Sequence, residues 1–151
     1  MRIQLDNLQG PEIHALLEEH MRGMHALSPP ESVHALNLDG LRQPNVRFWT
    51  AWDGTDLLGC GALKQLDAEH AEIKSMRTAE QHLRKGVARA LLAHIVEQAQ
   101  ALGLRRLSLE TGPVPGFAAA HRLYQAFGFQ ECGPFADYKL DPHSVFMTRL
   151  L

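Results

Sequence analysis

The feature that most constrains this chain is the run Lys85–Gly103, KGVARALLAHIVEQAQALG. Val87, Leu91 and Ile95 recur at helical spacing, and Ala88, Leu92, Val96 and Ala99 form a second row beside them. One face of a helix is therefore apolar over several turns, and Gly103 closes it in the ordinary C-terminal position. Such a face needs a partner layer, and the neighbouring segments supply strands. AEHAEIKSMRT before it offers a strand from about Ala71 to Thr78, and LRRLSLE after it alternates leucine with polar residues.

The rest of the chain fits around that unit. GPEIHALLEEHMRGM places Pro11 in a first helical turn and Ile13, Leu16, Leu17 and Met21 in a stripe. LSPPES interrupts it, since Pro29 and Pro30 forbid helix, and ESVHALNLDGL has room for a second, short helix. VRFWTAW and LLGCGALKQL flank the turn DGTD and read as a hairpin that the Ala71–Thr78 strand extends into a meander. GFAAAHRLYQAFGF predicts another helix ending at Gly128, and SVFMTRLL a terminal strand. The pattern is that of a mixed α/β fold in a single domain, 1–151.

Composition narrows the function classes. The net charge is -2 and no run of like charge appears, which argues against binding nucleic acid through a basic face. No apolar stretch has signal-peptide or membrane-spanning length, so a cytoplasmic protein with no membrane partner is expected. Cys60 and Cys132 have no motif around them and read as small buried residues. The histidines have no metal-ligand spacing, so no metal is expected.

The entry to the long helix carries the chemistry. A helix N-terminus has unsatisfied N–H groups and partial positive charge, so Lys85-Gly86-Val87-Ala88, with Arg84 and Arg89 beside it, fits an anion site. A glycine before a helix also suits an ordinary loop-to-helix junction, and neither the P-loop nor the dinucleotide fingerprint is present. The wider segment AEIKSMRTAEQHLRKGVARALL resembles the acetyl-CoA-binding segment of the GNAT N-acetyltransferases, whose signature is Gln or Arg, two residues, Gly, one residue, then Gly or Ala. Gly86 and Ala88 match; Leu83 stands where the family has Gln or Arg. A second match is HRLYQAFGFQECG, in which Leu123, Tyr124, Gly128 and Phe129 follow the family's later helix-to-strand motif. SPPES, LETG, CGPFADY and DPHSVFM are similar to a branch of small bacterial acetyltransferases of mostly unassigned substrate.

The resemblance implies a mostly antiparallel twisted sheet with a splayed parallel strand pair, flanked by helices. It implies an acetyl-CoA-dependent N-acetyltransferase that moves the acetyl group directly to a primary amine, on a small molecule or a peptide. Tyr124 would be the acid near the coenzyme sulfur. Glu72 would be the base, by analogy with the histone-modifying branch, although on a strand it could instead pair with Lys74. Met76 and Thr78 would contact the pantetheine arm through backbone groups, and Leu83, Arg84, Lys85, Gly86, Val87, Ala88 and Arg89 would hold the pyrophosphate. His20, Met24, Glu110 and Thr111 fall where the family lines its acceptor pocket. Exposed strand edges would serve a homodimer. The competing readings are a non-catalytic acyl-CoA-binding or sensing module, to which Leu83 lends support, and an interaction domain on the same fold.

Overall fold

The computed structural model describes all residues from Met1 to Leu151. Strands β1 (Arg2–Leu5), β2 (Val46–Asp53), β3 (Asp56–Gln65), β4 (His70–Thr78), β5 (Arg106–Thr111), β6 (Gln130–Cys132) and β7 (Val145–Leu150) form one seven-stranded sheet in the order β1-β2-β3-β4-β5-β7-β6. Every neighbouring pair is antiparallel except β4 and β5. The parallel pair is the one that needs a crossover, and the amphipathic run at its centre supplies it as helix α3 (Val87–Ala101). Helices α1 (Pro11–Leu27), α2 (Leu38–Leu41) and α4 (Ala118–Ala126) complete the layers.

Alternation along the strands divides the core in two. Ala71, Ile73, Leu107 and Leu109 pack with Val87, Leu91, Leu92 and Ile95 of α3 and with Tyr124 of α4. On the opposite face, Phe48, Cys60 and Ala62 pack with Ile13, Leu16 and Leu17 of α1. The two apolar stripes legible in the sequence thus cover opposite faces of one sheet.

Most elements fall where the periodicity puts them. α1 starts at Pro11, α3 ends before Gly103 (φ 78), and the 31–41 segment yields only the short α2, with the Asn37 side chain accepting from the Gly40 N–H at 2.8 Å. Two strands have no signal in the periodicity, although the helix-to-strand motif ending at Phe129 implies the second of them. β1 is an edge strand with only Ile3 half-buried, and β6 is three residues long, so neither carries a two-residue alternation strong enough to read. No helix is long and apolar enough to cross a membrane.

Candidate active site

The site begins with a defect in the sheet. The β3–β4 register passes from Cys60↔Arg77 to Ala62↔Lys74, so Gly61 alone faces Ser75 and Met76, and Ser75 takes φ 55. This bulge bends β4 away from β5. Parallel pairing between them stops at Glu72↔Ser108, and beyond it the edge of β4 that faces β5 has no strand partner. A cavity of about 110 Å³ fills the cleft. Its wall includes His20 and Met24 from α1, Glu72 and Met76 from β4, Glu110 and Thr111 from β5, and Tyr124 from α4. Seven residues chosen from the sequence as catalytic, cofactor-contacting or substrate-contacting thus meet in one space.

The two carboxylates on that wall have opposite environments. Glu72 is buried, and its Oε2 accepts from Lys74 Nζ at 3.2 Å and from the Tyr138 hydroxyl at 2.5 Å. Lys74 Nζ also donates to the His34 carbonyl at 3.0 Å and to Tyr138 Oη at 2.9 Å, which satisfies all three of its protons. Burial and the Glu72 carboxylate push the Tyr138 phenol far up, so it stays protonated. Glu72 is therefore committed to a structural pair, which leaves little room for it to collect a proton from a substrate.

Glu110 has no such partner. Burial raises its carboxyl from 4.5 to about 7; the nearby Ser144 hydroxyl, which forms no hydrogen bond of normal geometry, and the Lys74 charge oppose the rise. It shares the α1-facing side of β5 with Ser108, while Leu107 and Leu109 point into the α3 core. On that opposite side, burial lifts the Tyr124 phenol to about 12, and its ring lies edge-on to Phe129 at 5.7 Å. The cleft thus has a carboxyl raised by burial on one face of the sheet and a protonated phenol on the other.

His20 is buried, and burial first, then the Arg77 and Lys74 charges, lower it to about 4, so it is neutral. Tyr138, His34 and Ser75 were not readable from local pattern. Tyr138 and His34 come from segments 133–144 and 28–37, which meet only in the fold, where Ser32 Oγ donates to Asp141 Oδ2 at 2.6 Å. No group of three His, Cys, Asp or Glu side chains is placed to hold a metal ion.

The remaining residues chosen from the sequence lie at the far end of β4. Thr78, paired with Gly59, ends the strand, and the chain then turns through Leu83 to Gly86 into α3. Arg84 (φ 63) and Gly86 (φ 80) are both left-handed, and no side chain caps the helix. No backbone N–H from Arg84 to Arg89 donates to a protein acceptor. A row of N–H groups without protein acceptors, in a segment that also carries Arg84, Lys85 and Arg89, suits a pyrophosphate. Leu83 is exposed, so the departure from the family signature removes a side-chain donor and leaves the backbone cradle in place.

Comparison with known proteins identifies the family and the fold. The acetyltransferase (GNAT) family model matches residues 13–129. The chain is 56% identical over 151 residues, the whole of both chains, to YsnE of Bacillus subtilis (strain 168), an uncharacterized N-acetyltransferase. It is 54% identical over 149 residues, 99% of this chain and 94% of the other, to YedL of Escherichia coli (strain K12), also an uncharacterized N-acetyltransferase. A solved GNAT family acetyltransferase from Elizabethkingia anophelis with acetyl-CoA bound has a TM-score of 0.69 at 18% identity, over 99% of this chain and 97% of that one, a likeness of fold.

Proposed function

The chain belongs to the GNAT acetyltransferase family, and from that premise we propose that it transfers acetyl directly from acetyl-CoA to a primary amine, with Glu110 as base and Tyr124 as donor to the departing sulfur. The observation that carries this reading is the pair of unlike titrating groups, Glu110 near 7 and Tyr124 near 12, on the walls of one cleft. Acetyl-CoA brings the activated thioester; the free N–H groups of the 84–89 turn fit its pyrophosphate, and the unpartnered edge of β4 from Ile73 to Thr78 fits its pantetheine amides.

The amine must lose a proton to become a nucleophile, and the resulting amide must be neutral. Two protons therefore leave the nitrogen, one before attack and one after the N–C bond forms; Glu110 accepts each in turn and releases it to solvent. The C–S bond breaks as the N–C bond forms, and the sulfur leaves as a thiolate. A thiol titrates near ~8.5, well below Tyr124, so the phenol holds its proton and stabilises the thiolate by a hydrogen bond; solvent completes the protonation. Glu72, Lys74 and Tyr138 fix the β4 wall against which the amine is held.

The reading is tested by a thermal melt with acetyl-CoA, with Gly86→Glu and Tyr124→Phe alongside. Saturation at 100 times the dissociation constant stabilises by about 2.7 kcal/mol. Wild type and Tyr124→Phe should both shift, Gly86→Glu should not, and Tyr124→Phe should lose roughly 10- to 100-fold in kcat. Unchanged turnover in Tyr124→Phe removes the phenol from the mechanism, and no shift in wild type sinks the enzyme reading in favour of an interaction domain.

A further inference from the structure

The chain buries four side-chain polar atoms that find no hydrogen-bond partner within it: His20 Nδ1, Ser75 Oγ, Arg77 Nε and Ser144 Oγ. Native proteins keep few such atoms, because each loses its hydration without recompense. Two of the four stand in the wall of the strand cleft, and the other two lie behind it. His20 and Ser75 line it and are only 8% and 7% exposed. Ser144 lies beside Glu110, and Arg77, two residues along β4 from Ser75, acts on His20 through its charge.

The two walls differ in sign. On the β5 wall stands Glu110. On the β4 wall, Lys74 has its charge met by Glu72, whereas Arg77 has only Glu19, at 3.7 Å, beyond hydrogen-bond distance. Arg77 is therefore the less compensated cation, close behind two neutral groups, His20 and Ser75, that can each donate to an oxygen. The cavity, about 110 Å³, is small beside the ~300–1,000 Å³ of ordinary ligand pockets.

We propose that the acceptor carries a carboxylate beside its amine, as a small amino acid does, with the amine at Glu110 and the carboxylate on His20 and Ser75 in the field of Arg77. This rests on the N-acetyltransferase reading of the same site. A carboxylate supplies acceptors to the groups that lack them, and its charge offsets the one that Glu19 leaves partly unmet. An amine without the carboxylate would leave those donors unpaired, which is how a polar site rejects an analogue.

The experiment is steady-state acetylation, followed by thiol release from acetyl-CoA, on matched compounds: alanine with ethylamine, serine with ethanolamine, lysine with cadaverine, and each amino acid with its methyl ester. At least one amino acid should exceed its decarboxylated and esterified partners by roughly 10- to 100-fold in kcat/KM. Arg77→Gln and His20→Asn should lower kcat/KM for that amino acid, chiefly through KM, by more than for the matched amine, so that the preference narrows; a structural role would lower both alike and leave the preference as it was. Amines or esters acetylated as well as the amino acids overturn the inference and leave the acetyltransferase reading standing. If neither class is acetylated while acetyl-CoA still raises Tm, the inference also falls and cofactor binding survives; if acetyl-CoA has no effect, both readings fall together.

Discussion

Glu72 and Glu110 show how environment assigns roles to identical side chains. Both stand on the same face of adjacent strands, yet one is neutralised by Lys74 and Tyr138 and the other is left to be desolvated. A base must be free to take a proton, and Glu110, which lacks the pair that holds Glu72, is the base of the proposed mechanism. Glu110→Gln should lower kcat by roughly 10²–10⁴-fold and abolish the rise in activity with pH through about 7, as a pH–rate profile would show. The same change should stabilise the fold by about 1–2 kcal/mol at pH 8, because the native state no longer holds a partly buried carboxylate; chemical denaturation at that pH measures it. A loss of activity with no change in the pH profile would return the base role to Glu72 or to water.

At the scale of elements, the site depends on how closely α3 approaches the sheet. A Cβ on Gly59 would stand 2.7 Å from the Arg77 carbonyl oxygen and 2.9 Å from Val87 Cγ1, and one on Gly61 would stand 2.6 Å from Met76 Sδ. These glycines let the bulged part of β4 and the first turn of α3 pack against β3. Gly59→Ala must displace backbone, so it should destabilise by about 1–3 kcal/mol. Since Val87 is also the first residue after the phosphate turn, the variant should show a smaller acetyl-CoA shift in a thermal melt. A wild-type shift in the destabilised variant would separate cofactor binding from this packing.

Across the whole molecule, the cleft groups impose opposing pH dependences on stability. His20 has a folded pKa of about 4 against an ordinary value of 6.5, so between those values the unfolded chain takes up a proton that the native state refuses, and stability falls as pH falls. Glu110 is raised from 4.5 to about 7, so the native state holds a proton there that the unfolded chain has released, and stability falls as pH rises. The windows overlap and the two slopes oppose each other. Denaturant midpoints from pH 4.5 to 7.5 should therefore climb more steeply with pH in Glu110→Gln than in wild type, and less steeply in His20→Asn. Parallel profiles for all three proteins would mean that neither group is perturbed as its burial implies.

Local sequence determined the parts of this protein whose cause is local. The stripes of α1 and α3, the Gly86 turn, the Asp53-Gly54 hairpin and the motif around Tyr124 depend on spacing within a few residues, and each is formed as the spacing predicts. Glu110 and Thr111 end a predicted strand, but nothing in LSLET distinguishes a residue that lines a pocket from one that caps a turn. That difference was decided by tertiary structure. Lys74 reaches His34 across 40 positions and Tyr138 across 64, and the bulge at Ser75 needs Gly61 of β3 opposite it. A carboxylate's proton affinity follows from which charges and how much water surround it, and those neighbours are chosen only when strands far apart in the chain are brought side by side.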